Sequence, residues 1–283
     1  MLSLTPGRPL LMGIVNVTPD SFSDGGLYLS PDHAVEQALR LIDEGADLID
    51  LGAESTRPPG ATYGAGARAV TAEEELARLL PVLAGLRRQS AVPVSIDTRK
   101  ASVARALLDA GADLLNDVSA LEDPDTAALA ASSGCAVVLM HHHGIFAAAP
   151  RSRAERVVFE VRSGLDALVQ RAVAAGCQRD QLVLDPGLGF GKVGGQNLEL
   201  LRRLPELRTL DRPLLVGASR KSFLGGLAGP LEPPAERLEP SLAAAAWAAA
   251  GGAAVLRVHD VGATRKFLAA WTAIDSAGTG GPA

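Results

Sequence analysis

The chain has 283 residues, 47% of them hydrophobic, with a formal net charge of −5 and a sequence pI near 5.6. The length suits one α/β barrel and the apolar content can fill a large core, while the acidic balance excludes a general binder of nucleic acid or membrane surfaces, which needs an excess of Lys and Arg. Any anion site must therefore be local. The two cysteines, Cys135 and Cys177, fit no metal spacing and are too few for a disulfide framework, so a reducing cytoplasm is the expected compartment. The first residues lack the basic start and small-residue cleavage site of a secretion signal. The longest apolar stretch, LAAAAWAAAGGAAVL at 242–256, is broken by Gly251 and Gly252 and is shorter than the ~20 residues of a bilayer span, so it reads as a buried helix running into a strand.

In chain order, an apolar run near 10–17 precedes a helical stripe of Ala34, Val35, Ala38, Leu39 and Ile42. A second run, near 47–53, precedes Thr71 and Glu74, spaced as a capping box ahead of Leu76, Leu79 and Leu80. A third, near 92–97, precedes the stripe Val103, Ala104, Leu107 and Leu108. Further runs follow near 113–118, 136–140, 182–185, 213–218 and 254–258. The junctions repeat one pattern: EGADLIDLG at 44–52, AGADLLNDV at 110–118, AAGCQRDQLVLD at 174–185 and AAGGAAVLRVHD at 249–260. Each is a helix end, a glycine suited to the left-handed position past it, and an apolar strand. Strands covered on both faces read as continuous apolar runs, so eight such runs alternating with helices predict a closed (β/α)8 barrel. An open doubly wound sheet is the alternative. One domain is expected over 1–275, and SAGTGGPA at 276–283, with little to bury, is expected to be disordered.

In a barrel, the groups that do chemistry sit where the strands run out into the following loops, and here those positions are polar. The first strand ends in Asn16 and TPDSFSDGG, and the second in ESTRPPG at 54–60. The third ends in Asp97, Thr98 and Arg99, and the fourth in Asn116 and Asp117. The fifth ends in His141, and the sixth in Asp185 and PGLGFGK at 186–192. The last two supply Ser219, Lys221 and Ser222, then Arg257 and His259, whose side chains share one side of the eighth strand. Singly these have structural explanations: Asp117 and Thr98 suit a capping role, and Arg57 alone is as suited to an ion pair as to a ligand. Convergence on one rim favours a site, above all for Asp97, Asn116, Asp185, Lys221 and Arg257. GLGFGKV is one residue short of a phosphate-binding Walker loop, and Val193 stands where the Mg-ligating hydroxyl belongs. It does not match the dinucleotide fingerprint either. His141, His142 and His143 alternate in direction and cannot easily share one zinc ion. There is no G-x-S-x-G elbow.

Eight motifs in order, NVTPDSFSDGG, ESTRP, SIDT, ND, LMH, DPGLGFGK, SRKS and RVHD, make nearly the whole chain resemble the dihydropteroate synthase family, the sulfonamide target of folate synthesis. The resemblance implies condensation of 6-hydroxymethyl-7,8-dihydropterin diphosphate with 4-aminobenzoate to give 7,8-dihydropteroate and diphosphate. It assigns the pterin to Asp97, Asn116, Asp185, Lys221 and Met140. The diphosphate falls to Asn16, Thr56, Arg57, Arg257 and His259, with Asn16 also touching Mg²⁺. The aminobenzoate falls to Phe22, Pro58, Phe190 and Ser222, the last at a helix N-terminus. Asp24, Lys221 and Asp97 are implied as catalytic, Asp24 stabilising a pterinylmethyl cation. A cytoplasmic homodimer acting on small molecules is implied, with no nucleic-acid or membrane partner. The loop at 59–70, Arg99 and the run of three histidines depart from the family pattern. The nearest alternatives are a methyltetrahydrofolate-dependent corrinoid methyltransferase, which needs no diphosphate clamp, and a non-catalytic pterin-binding paralogue.

Overall fold

A computed structural model describes residues 8–18, 30–54, 70–142, 156–192, 195–227 and 232–277. Eight parallel strands form one sheet: β1 Leu10–Asn16, β2 Leu48–Gly52, β3 Val94–Asp97, β4 Leu114–Asp117, β5 Ala136–Met140, β6 Leu182–Asp185, β7 Leu215–Val216 and β8 Val255–Val258. Their order is β6-β5-β4-β3-β2-β1-β8-β7, and a bridge from Leu184 to Leu214 joins the two edges. The Leu184 N–H donates to Pro213 O at 2.9 Å. The expected barrel is therefore the fold. β7 is shorter than its apolar run, because beyond Val216 the chain turns into the Ser219–Lys221 segment.

Helices α1 Pro31–Asp43, α2 Ala72–Arg87, α3 Ala101–Asp109, α4 Pro124–Ser133, α5 Val157–Ala174, α6 Gln196–Arg202, α7 Leu238–Ala250 and α8 Val261–Asp275 alternate with the strands. The capping box at α2 is closed in both directions: Glu74 N–H donates to Thr71 Oγ1 and Thr71 N–H to Glu74 Oε2, each at 3.2 Å. Gly45, Gly111, Gly176 and Gly252, one from each repeated junction, have φ of 102°, 100°, 104° and 90°, a region from which a Cβ is largely excluded. The Ala-rich segment is helix then strand, as read, but α7 is buried on one side only and Trp247 is half exposed on the other.

Strand alternation divides the apolar side chains into two sets. Met12, Leu48, Leu114, Val138, Val183, Leu215 and Val255 point inward and fill the barrel. Their outward neighbours, such as Leu11, Ile49, Ile96, Leu115, Leu139, Leu184 and Leu256, meet the helices. The inward positions nearer the C-terminal ends change from apolar to polar, and the candidate site begins there. Among the described residues no helix is long and apolar enough to cross a membrane.

Candidate active site

Parallel register sets the floor of the site. Asp50 on β2 lies opposite Ser95, and one pleat higher Gly52 lies opposite Asp97, which pairs with Asn116 on β4. Arg257, on β8, reaches across this floor. Its Nε donates to Asp50 Oδ2 at 2.6 Å and its Nη2 to Asp97 Oδ2 at 2.9 Å. Asn116 Nδ2 lies 3.4 and 3.3 Å from the two oxygens of Asp50. Its carbonyl oxygen is thereby left as the acceptor facing away from that carboxylate.

Burial governs the electrostatics. It pushes the Asp97 carboxyl up to about 7, against Arg257 and with the help of Asp50. It also raises Asp185, opposed by Lys221 and by the Gly187 N–H, which donates to Asp185 Oδ1 at 2.7 Å. Burial lowers Lys221 to about 8, with Asp185 opposing. For Arg257 the burial penalty is outweighed by Asp50 and Asp97, so its guanidinium stays charged. The floor thus juxtaposes two carboxyls raised by burial, Asp97 to about 7, with a lysine lowered to about 8.

Lys221 is delivered by an unusual turn. Arg220 has φ of 58°, and the carboxylate of Asp260 holds its side chain at 3.0 and 2.5 Å. Arg220 N–H donates to Ser241 Oγ, and Arg237, fully buried, donates to Arg220 O, both at 2.9 Å. These contacts offset the strain of a non-glycine residue in the left-handed region. Lys221 Nζ then donates to Leu188 O at 2.5 Å and lies 4.7 Å from the Phe190 ring centroid. Ser219 Oγ ties this turn to the end of β8, 3.0 Å from His259 Nδ1 and accepting from the His259 N–H at 3.2 Å.

Asn16, Asp97, Asn116, Met140, Asp185, Lys221, Arg257 and His259 all lie on the C-terminal rim or the turns that leave it. Ser222 stands at the start of a helix, but one of a single 3-10 turn, Ser222–Leu224, so little macrodipole acts there. Phe190 is partly exposed and packs against His142, with ring centroids 5.9 Å apart. His141 is buried. Asp117 caps its own loop, accepting from Ser119 N–H and Oγ and from Leu121 N–H. Asp24, Phe22, Thr56, Arg57, Pro58 and His143 lie outside the described residues.

Sequence reasoning missed Asp50, although a charge inside the apolar run LIDLG is itself a signal that a buried partner exists. It also missed an ion cluster beside the site: Lys100 Nζ lies 2.6 Å from both Glu54 Oε2 and Glu75 Oε2, and Arg99 Nη2 is 3.1 Å from Glu54 Oε1. Burial raises Glu54, but Lys100 and Arg99 outweigh it and hold the carboxyl below its usual range. Arg99, the departure noted from the family pattern, is therefore one arm of this cluster.

A closed (β/α)8 barrel whose C-terminal rim gathers carboxylates, an amide, a lysine and an arginine has the form of a barrel-enzyme active site. The family model described as pterin binding enzyme matches residues 12–259. The dihydropteroate synthase of Mycobacterium leprae is 46% identical over 280 residues, 95% of each chain. A solved structure of Xanthomonas albilineans dihydropteroate synthase with 4-aminobenzoic acid is 46% identical with a TM-score of 0.86, covering 95% of this chain and 94% of that one. The same enzyme in complex with 7,8-dihydropteroate gives 44% identity and a TM-score of 0.84, covering 96% of both chains. The chain belongs to the dihydropteroate synthase family of pterin-binding enzymes.

Proposed function

We infer that this chain transfers the pterinylmethyl group of 6-hydroxymethyl-7,8-dihydropterin diphosphate to the amino nitrogen of 4-aminobenzoate, giving 7,8-dihydropteroate and diphosphate. The observation that carries this reading, beside the family relationship, is the floor that joins Asn116, Asp50, Arg257 and Asp97, with Asp185 and Lys221 beside it. A pterin's amino and ring N–H groups offer paired donors to a carboxylate, the part of Asp185, and its ring oxygen accepts from Lys221. Lys221 gives up Leu188 O to do so. Asp97 and Asn116 complete the polar edge contacts, and Met140 lines the apolar face of the ring.

The C–O bond to diphosphate breaks first, both electrons leaving with the diphosphate, and the arylamine nitrogen then attacks the cationic exocyclic carbon and loses its proton to solvent. An arylamine is neutral near pH 7 and needs no strong base. The charge to be managed is the cation left on the pterinylmethyl group, assigned to Asp24, and the departing diphosphate, assigned to Asn16, Thr56, Arg57, Arg257 and His259. Phe22, Pro58, Phe190 and Ser222 would hold the aminobenzoate. Among the described residues no cluster of His, Cys, Asp or Glu could hold a metal by itself. Asn16, at the end of β1, would supply an amide oxygen to Mg²⁺, a hard ion that keeps several waters and binds chiefly through substrate phosphates. Bound there, the ion would neutralise charge on the leaving group. We assign the chain to a cytoplasmic homodimer on the family resemblance.

The test is diphosphate release by the purified protein given the pterin diphosphate and Mg²⁺, with and without 4-aminobenzoate, alongside Lys221→Ala. Release with dihydropteroate formation, lost in the variant and on chelation, is the expected result. Pterin binding without release would instead mark a non-catalytic paralogue.

A further inference from the structure

Lys192 ends the glycine-rich turn after β6, and no step above uses it. The residue is buried, at 6% exposure. It donates to Gly187 O at 2.7 Å and to His141 O and Phe190 O at 3.3 Å each. Burial lowers Lys192 to about 7, with Asp185 opposing; in its protonated form the side chain has three donors and no acceptor, and the three carbonyls take up all of them. Two of the acceptors belong to the 187–190 turn and the third follows β5, so the side chain pins the turn to the neighbouring strand. Asn197 grips the same turn from α6, accepting from Gly189 N–H at 2.7 Å and donating to Lys192 O at 3.1 Å.

The second lysine on this turn is Lys221, through Leu188 O and the face of Phe190. When Lys221 turns to the pterin, that hold is given up. We propose that Lys192 is a positioning residue: it keeps the 187–190 turn, and with it the Phe190 ring, in place for 4-aminobenzoate while Lys221 is engaged on the pterin. This rests on the dihydropteroate synthase reading. Lys192 itself touches backbone carbonyls, so its effect passes through Phe190 and falls on the second substrate.

The experiment is steady-state kinetics on the wild type, Lys192→Met, Lys192→Gln and Lys192→Arg, with direct binding of the pterin diphosphate measured in parallel. Loss of the ammonium in Lys192→Met is expected to raise KM for 4-aminobenzoate about tenfold or more while the Kd for the pterin diphosphate moves less than about threefold. Lys192→Gln, which retains N–H donors, falls between, and Lys192→Arg recovers most of the loss. Equal weakening of both substrates, or reduced kcat with KM for 4-aminobenzoate unchanged, overturns the proposal. Should Lys192→Met not fold, the Gln and Arg variants decide, since a KM indifferent to the donors retained is equally fatal. A wild type that binds pterin without turnover would refute the catalytic reading itself, a result distinct from either outcome for Lys192.

Discussion

Asp50 is the fixed anion beneath Arg257, and its removal tests how the floor is held. The carboxylate is fully buried, 2.6 Å from Arg257 Nε and within 3.4 Å of Asn116 Nδ2. Asp50→Asn keeps the shape and one acceptor but removes the charge, while Arg257 retains Asp97 at 2.9 Å. Breaking a buried pair outright costs about 3–5 kcal/mol, so with one carboxylate and a neutral acceptor left we expect a loss of about 2 kcal/mol. For a chain of this size that lowers Tm by roughly 4–8 °C. Asp50→Ala, which leaves both the void and the unpaired Nε, is expected to lose about 4 kcal/mol.

The variant also has a pH signature. Asp97 is held above its ordinary 3.8, at about 7, partly by Asp50. A carboxyl raised in the folded state contributes stability that is full below its unfolded pKa and is lost as pH rises through the folded value. Asp50→Asn lowers the Asp97 pKa and narrows that window, so its deficit against wild type is larger near pH 4 than near pH 8. The acid limb of kcat/KM for the pterin diphosphate moves to lower pH in step. Urea denaturation across this range and the pH–rate profile measure both. A variant as stable as wild type with an unmoved acid limb would refute the view that Asp50 holds Arg257 and tunes Asp97.

Lys221, depressed to about 8, is expected to give kcat/KM for the pterin diphosphate an alkaline limb near that pH, because the free enzyme loses its donor there; Lys221→Arg, if active, removes the limb from the profile. Lys100→Met leaves fully buried Glu75 without its ammonium and is expected to cost about 3–5 kcal/mol, with Glu75→Gln added in the same chain restoring much of it in a double-mutant cycle read by denaturation. Gly187→Ala puts a Cβ 2.0 Å from His141 O at a φ of +66°, so it is expected to lower stability by at least about 2 kcal/mol and to abolish tight pterin binding, which calorimetry would check.

The sequence was most legible where local physics decides the outcome. The glycine at each of the four repeated αβ junctions, the Thr71–Glu74 box and the eight apolar runs report on contacts within a few residues of themselves, and each marks the element read there, β7 alone being much shorter than its run. Strand ends were legible for a topological reason: in parallel βα units every strand points the same way, so Asp97, Asn116, Asp185 and Arg257 had to share one rim. What that reading could not reach is whatever depends on two distant segments meeting. Asp50 and Arg257 are 207 residues apart, and only closure of the barrel between β8 and β1 brings the charge inside LIDLG beneath the guanidinium. The left-handed Arg220 depends likewise on Asp260, Ser241 and Arg237. The three carbonyls on Lys192 belong to two loops whose approach no local pattern records. The sequence by itself determined the alternation of elements and which side chains reach the rim, because propensity, capping and strand direction are local or topological. Tertiary structure alone decided which charge neutralises which, because a buried ion persists only where the fold supplies its partner.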